Sequence, residues 1–106
     1  MATVFSTRFI AVHDQPVAIP ATYLVPAGFV AVVRDVDAYF GSSLSVKTVF
    51  ARGSAAQIFW QETVGANLAG WRQWEGRQVI YAGETLSLFA DELVDLTASG
   101  YLLTLP

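Results

Sequence analysis

The chain has one histidine, so histidine-based catalysis is the first chemistry to consider. His13 stands beside Asp14 in the segment His13-Asp14-Gln15-Pro16, which reads as a turn because Asp favours turns and Pro fixes φ. A Ser-His-Asp triad holds its histidine between two partners, and the chain has no Gly-x-Ser-x-Gly sequence to expose a serine nucleophile. We therefore predict that His13 is a solvated turn residue.

Carboxylates form two groups that could act as acid, base or metal ligands. Asp35 and Asp37 lie two residues apart, which places them on one face of a strand, about 7 Å apart. Asp91, Glu92 and Asp95 form the second group. A glycosidase needs two carboxyl groups that face each other across the substrate, and neither group follows the calcium-loop pattern. We predict charges that keep strand edges soluble, with catalysis or an oxygen-ligated calcium ion as alternatives.

Metal and cofactor chemistry lacks its usual ligands in this chain. There is no cysteine, which excludes disulfides, thiolate zinc sites and a cysteine nucleophile. One histidine cannot build the several-histidine metal site of the cupins, and Leu86 falls roughly where a cupin ligand would be needed. The sequence thus predicts a protein without catalytic residues, metal ligands or a cofactor.

The most distinctive segment is Trp71-Arg72-Gln73-Trp74-Glu75-Gly76-Arg77, with two tryptophans three residues apart. Exposed Trp and Arg are enriched at binding hot spots, Trp rings also stack on sugar faces, and a Trp can plug the open end of a β-structure. We predict a subunit interface that includes Trp71, Trp74, Phe29 and Tyr101. Core packing and sugar binding are the alternatives for the tryptophans.

The elements that position these residues are predicted to be strands, because Val, Thr, Phe, Tyr and Ile dominate and Gly and Pro recur at short intervals. We predict one domain, residues 1–106, folded as an all-β, antiparallel, jelly-roll-like sandwich of about eight strands. The expected strands are Thr3–Val12, Pro20–Val25, Phe29–Phe40, Ser45–Arg52, Ala56–Glu62, Arg77–Tyr81, Thr85–Ala90 and Val94–Leu105. Val64–Gly76 is expected to be a connection, and Ser99-Gly100 to bend or bulge the last strand.

A faint internal repeat supports the jelly roll. A strand, an Ala-Gly turn and a second strand occur in Leu24–Val32 and again in Val79–Ser87. Two hairpins at matching places in the two halves are typical of a pair of Greek keys.

The strand Phe29–Phe40 is apolar on both faces over its first half, whereas a sandwich strand of a monomer should alternate apolar and polar residues. Tyr101–Leu105 has the same property. The second face must be covered by the Val64–Gly76 connection or by another subunit. We predict that Val30, Val32, Val36, Phe50, Ile58, Val79, Leu86, Leu88 and Leu102 lie in the core.

The amino-acid composition favours another subunit as the covering of this second face. Hydrophobic residues make up 54% of the chain and charged residues only 14%, so a monomer has few charges to cover its surface.

The net charge of −3 and six scattered basic residues give no cluster that would bind nucleic acid. No apolar run is long enough to span a bilayer, and Met1–Phe5 does not begin as a secretory signal does.

Two stretches carry a family resemblance. They are Leu24–Val36, and Trp74–Leu86 together with Ser99–Leu103, and in them the chain resembles small virion proteins of tailed bacteriophages, of the minor tail, collar or head-decoration type. The resemblance implies a β-sandwich and a non-enzymatic structural subunit that forms a symmetric homo-oligomer and contacts other virion proteins of the tail, the portal or neck, or the capsid. Its location would be the virion, after synthesis in the bacterial cytoplasm. A free-standing carbohydrate- or ligand-binding module is the alternative.

Overall fold

The computed structural model describes residues 4–53 and 57–104, with the backbone alone described over 14–19. These residues form six strands, all paired antiparallel. The strands are β1 (Val4–Leu24), β2 (Phe29–Phe40), β3 (Lys47–Arg52), β4 (Ile58–Val64), β5 (Gly70–Ile80) and β6 (Thr85–Thr104). The predicted all-β antiparallel class is confirmed.

The described strands make one sheet in the order β4-β3-β6-β2-β5, with β1 on β6, and this sheet curls into a nearly closed barrel rather than a clear sandwich. Six strands replace the predicted eight because neither the predicted turn His13–Pro16 nor the gap between Ala90 and Val94 interrupts a strand. Backbone pairing of β1 with β6 continues through Gln15–Val94 and Val17–Ala90, where register shifts mark a bend.

The long strands β1 and β6 therefore serve two groups of strands. The carboxyl half of β6 lies between the amino half of β1 and β2, with β5 beyond β2. The amino half of β6 lies between the carboxyl half of β1 and β3, with β4 beyond β3.

The prediction that Val64–Gly76 is a connection was wrong. β5 begins at Gly70 and pairs with β2 from Phe40–Gly70 to Ala31–Ile80. Its glycines suggested a loop, yet the side chains alternate between partly buried and exposed from Gly70 to Gln78. That period of two is the signal of a half-buried strand.

A β-bulge at Arg34 divides β2. The pairing register shifts between Val33 and Asp35 towards both β5 and β6. Ala31 and Val33 are buried before the bulge, and Val36 is buried after it, so the core-facing positions change parity. Gly100 lies opposite Val33, and a Cβ there would collide with the carbonyl oxygen of Val32. The predicted Ser99-Gly100 irregularity is thus a bulge in the neighbouring strand, for which Gly100 leaves room.

The core lies inside the curled sheet and combines aliphatic and aromatic residues from all six strands with Val25. Of the nine predicted core residues, Val32, Val36, Leu86 and Leu88 are buried. Val30, Phe50, Val79 and Leu102 are only partly buried. Ile58 is 49% exposed, so its prediction was wrong. It stands at the start of β4, where the adjacent residue Phe59 points inward instead.

The two Ala-Gly turns of the sequence repeat lie side by side. In each, the residue after glycine donates its N–H to a carbonyl three residues earlier: Phe29 to Pro26 at 3.2 Å and Glu84 to Tyr81 at 3.0 Å. Gly28 and Gly83 have φ near +85°, a conformation that favours glycine (φ 86° and 83°). Val25 N–H donates to Glu84 O, and Gly83 N–H donates to Val25 O. The repeat therefore marks one end of the molecule, where both hairpin turns are hydrogen-bonded.

Contacts between β4 and β5 help to close the barrel. The rings of Phe59 and Trp74 meet edge to face, with centroids 4.9 Å apart. Arg72 Nη2 donates to Thr63 O at 3.3 Å, and Arg72 Nε lies 3.7 Å from Glu62 Oε2. These contacts explain why alternate side chains of β5 are partly buried although β5 is an edge strand.

Candidate interaction surface

The outer face of β1, β6, β2 and β5 carries the features that could bind a partner. We define this outer face as the side chains that point away from the core on Val4–His13, Phe29–Phe40, Gly70–Ile80 and Val94–Thr104. Side chains alternate along a strand, so the buried positions identify the outer ones. From the end with the Ala-Gly turns to the opposite end, the outer face shows four consecutive bands.

The first band is apolar. Its members alternate with core-facing residues and pair across strands: Val4, Leu103 and Val30 in one row, and Tyr101, Val32 and Val79 in the next. Val4 is 60% exposed, whereas Val32 is 4% exposed without belonging to the core cluster. Val32 is flanked in the register by Tyr101 and Val79. This apolar band is the structural form of the two-sided apolar pattern in the sequence.

The second band is basic and lies across the row of the β2 bulge. It consists of Arg34 at the bulge and Arg77 on β5, both exposed, while the exposed Arg8 on β1 lies in the next row, in line with Ser99 and Asp35. None of these guanidinium groups makes an ion pair with a side chain that the structure describes. The basic band is therefore available to an acidic group from outside the chain.

The third band is acidic. Asp35 pairs with Glu75 across β2 and β5, and Asp37 pairs with Gln73. Gln73 Nε2 donates to Glu75 Oε1 at 2.9 Å. Partial burial, and then the negative charges of Asp35 and Glu75, raise the pKa of Asp37 above its ordinary value of 3.8. The acidic band thus holds like charges that repel one another within the chain.

The fourth band is aromatic and consists of Tyr39 and Trp71, which pair across β2 and β5. Their ring centroids are 5.2 Å apart with an interplanar angle of 52°. Trp71 is 67% exposed, although Tyr39 packs against its ring. Two aromatic rings that support each other offer a preorganised apolar surface.

The four predicted interface residues separate into two pairs. Trp71 and Tyr101 lie on the outer face, in the aromatic and apolar bands. Trp74 and Phe29 are partly buried and pack against the core, Trp74 beside Phe59 and Phe29 beside Phe5. The three-residue spacing of the tryptophans puts them on opposite faces of a strand. In an irregular connection, the same spacing would not have fixed their directions.

The candidate catalytic residues from the sequence, His13 and the two carboxylate groups, do not form one site in the described structure. His13 Nδ1 lies 2.8 Å from Asp95 Oδ1, and Asp95 is opposite Tyr39 in the row of the aromatic band; the histidine side chain is 89% exposed. Asp91 Oδ1 accepts the N–H of Thr48 at 2.8 Å and so ties β6 to β3 at the bend. Asp35 and Asp37 share one face, as their spacing predicted.

Sequence reasoning missed Lys47, which is 1% exposed. Its Nζ donates to Ser45 O at 3.3 Å and to Gly65 O at 3.1 Å, linking the segments that follow β2 and β4. Two backbone carbonyls thus take the place of a carboxylate partner. The alternation Lys47, Val49, Ala51 on a strand was the signal that placed Lys47 on the inner face.

Among the side chains that the structure describes, which excludes residues 14–19, no three of His, Asp or Glu are grouped as metal ligands would be. The same described residues contain no helix with the length and hydropathy of a membrane span. No protein-family model matches the chain, and comparison with curated proteins and with solved structures finds no match either.

Proposed function

We propose that the protein is a non-enzymatic structural subunit that works through symmetric protein–protein contacts in a bacteriophage virion, in the tail, in the neck or collar, or on the capsid surface. Its partners would be copies of itself and neighbouring virion proteins, and its location the particle. The apolar band is the observation that carries the assembly role. The phage assignment depends on the sequence resemblance.

The apolar band had two possible coverings in the sequence, the Val64–Gly76 segment or another subunit. From Gly70 onward that segment is β5, which lies beside β2 in the sheet instead of over it. Another subunit is then the remaining candidate of the two. Val4 is 60% exposed and the other members except Val32 are partly exposed, so a partner could bury the rest of the apolar band, and burying apolar surface is favourable.

The strand pairing also suits the proposed class of module. Two groups of four strand segments share the bent strands β1 and β6, in the orders β1-β6-β2-β5 and β1-β6-β3-β4. We propose that this is a jelly-roll arrangement, as the sequence predicted, with the groups facing each other across the core. Jelly rolls are frequent in viral capsid proteins and also in lectins.

The proposed function can be tested on particles. An antibody to the purified protein should label particles produced by the phage that carries the gene, at a fixed position, and quantitative mass spectrometry should give a copy number that is a multiple of the local symmetry. Absence of the protein from purified particles would contradict the phage role.

Carbohydrate binding is the second candidate, and the aromatic band favours it. Trp71 is exposed, supported by Tyr39, and followed two residues later by Gln73 on the same face, so a sugar ring could stack on Trp71 and bond the amide. Titration with a panel of hexoses and surface glycans, followed by tryptophan fluorescence, tests this role. A saturable response lost in Trp71→Ala and kept in Trp74→Phe would favour it over the structural role.

A further inference from the structure

The four bands of the outer face are complementary to themselves. They run in the order apolar, basic, acidic, aromatic along β2 and β5, so on these two strands a reversed copy presents acidic opposite basic and aromatic opposite apolar. A two-fold contact between identical chains creates such a reversal, because each patch meets the patch on the other side of the axis.

We propose that a second copy of this chain covers the outer face, with a two-fold axis that lies in the plane of the contact and crosses the strands between the basic and acidic bands. This contact presupposes the symmetric role proposed above and names the surface that performs it.

The charges near the axis carry the inference furthest. Arg34 and Asp35 are consecutive at the bulge, and Arg77 and Glu75 are two residues apart on β5. The axis would place Arg34 against the partner copy's acidic band on β2, and Arg77 against its acidic band on β5. Each contact occurs twice by symmetry. Charge pairs of this kind fix the register of an interface and suppress wrong partners.

The acidic band gains most from such a partner. Asp37 is held near Asp35 and Glu75, and partial burial, followed by the charges of these two residues, raises the pKa of its carboxyl group. Guanidinium groups of the second copy placed against Asp35 and Glu75 would offset the charges that repel Asp37, and arginine forms bidentate bonds with carboxylates. Arg34 and Arg77 are exposed without a described ion pair, so they can contribute without breaking contacts within the chain.

The area is sufficient for a stable pair. Four strands spaced about 4.8 Å apart, each about ten residues long at about 3.3 Å per residue, make a face of roughly 600 Å² per copy. The pair would bury about 1,200 Å² in total, which reaches the lower end of specific interfaces. The apolar band lies at one end of this area, and Trp71 in the aromatic band lies at the other end.

Charge exchange between two variants tests the contact. One variant carries Arg34→Glu and Arg77→Glu, so that its basic band becomes acidic. The other variant carries Asp35→Arg and Glu75→Arg, so that its acidic band becomes basic. Each alone would face its own copy with like charges, and we expect sedimentation equilibrium to show at least a tenfold weaker dimer than wild type. Mixed in equal amounts, the two variants should form a heterodimer, because every reversed charge then meets its opposite.

Arg52→Glu is the matched control, since Arg52 is exposed on β3 outside the outer face, and it should dimerise like wild type. Circular dichroism confirms that each variant is folded. If a variant does not fold, wild type alone decides: raising NaCl from 0.05 to 0.5 M should weaken its dimer several-fold.

Wild-type-like dimers in both variants, a mixture that stays monomeric, or a salt-independent dimer would overturn the proposed contact. A wild-type chain that remains monomeric would overturn it as well. None of these results removes the protein from the particle, so labelling and copy number on purified particles test the proposed function separately.

Discussion

The two halves of β2 differ in what their outer side chains meet. Before the bulge, Phe29–Val33 is apolar on both faces of the sheet. After it, Asp35–Phe40 is apolar inward and polar or aromatic outward. The bulge at Arg34 thus separates a segment built to be covered on both sides from one built like an ordinary solvent-facing strand. An outer surface can change its chemistry within one strand while the inner surface stays continuous.

The largest expected effect concerns the inner face of the second half. Phe40 is fully buried, so Phe40→Ala should lower the free energy of unfolding by about 3–5 kcal/mol. Tyr39→Ala, on the outer face one residue earlier, should cost about 1 kcal/mol through its contact with Trp71. Urea denaturation of both variants measures the difference. Equal losses would mean that the two faces are not distinct.

The next effect concerns the bulge that divides the halves. Gly100→Ala places a methyl group against the carbonyl oxygen of Val32, and we expect a loss of about 2–3 kcal/mol from the displaced backbone. Gly41→Ala is the control, because a Cβ there meets nothing within 4 Å. Thermal unfolding followed by circular dichroism checks both. A Gly100→Ala protein as stable as Gly41→Ala would show that β2 does not need the close approach.

A smaller effect sharpens the contrast within the first half. Val33→Thr buries a hydroxyl group in the core and should cost about 1–3 kcal/mol. Val30→Thr, on the apolar band, should change the stability of the monomer by less than about 0.5 kcal/mol but weaken self-association. Urea denaturation at low concentration and sedimentation at high concentration separate the two effects. Val30→Thr would contradict the account if it destabilised the monomer as much as Val33→Thr.

The smallest effect concerns the acidic band. Because the pKa of Asp37 is raised in the folded chain, its ionisation opposes folding, so this residue's contribution is fully favourable below pH 3.8 and is lost as pH rises through the folded pKa. Asp37→Asn should therefore stabilise the monomer at pH 7 by less than about 1 kcal/mol, since the group is only partly buried and solvent screens its charge. The gain should vanish below pH 3.8. A loss of stability at pH 7 would mean that the carboxylate has a favourable partner.

The strand class followed from the sequence because β-branched and aromatic residues alternate over short distances. The bulge did not, since a single extra residue reverses the parity of every later position and leaves composition unchanged. A strict alternation through Arg34 predicts Val36 and Val32 on one face of the strand, although the structure puts them on opposite faces. Ile58 failed for the same reason, because Arg52 pairs with Ile58 and Ala51 with Trp60, so Phe59 is an extra residue that reverses the parity of Ile58.

The outer face was predictable only in part. Two-sided apolarity in Phe29–Val33 and the shared face of Asp35 and Asp37 were visible in the sequence. The four bands were not visible in the sequence, because they depend on the register between β2 and β5, and most of β5 is predicted from sequence to be a connection. Trp71 and Trp74 could be assigned to opposite faces only once that segment was known to be a strand.

Sedimentation equilibrium of the wild-type chain tests the central claim most directly, because the claim is that another subunit covers the apolar band. The chain has a mass of 11.5 kDa. We predict that its weight-average mass rises towards twice that value over a range from micromolar to several hundred micromolar, and that Val30→Thr shifts the rise to higher concentration. A constant 11.5 kDa over the whole range would contradict the account.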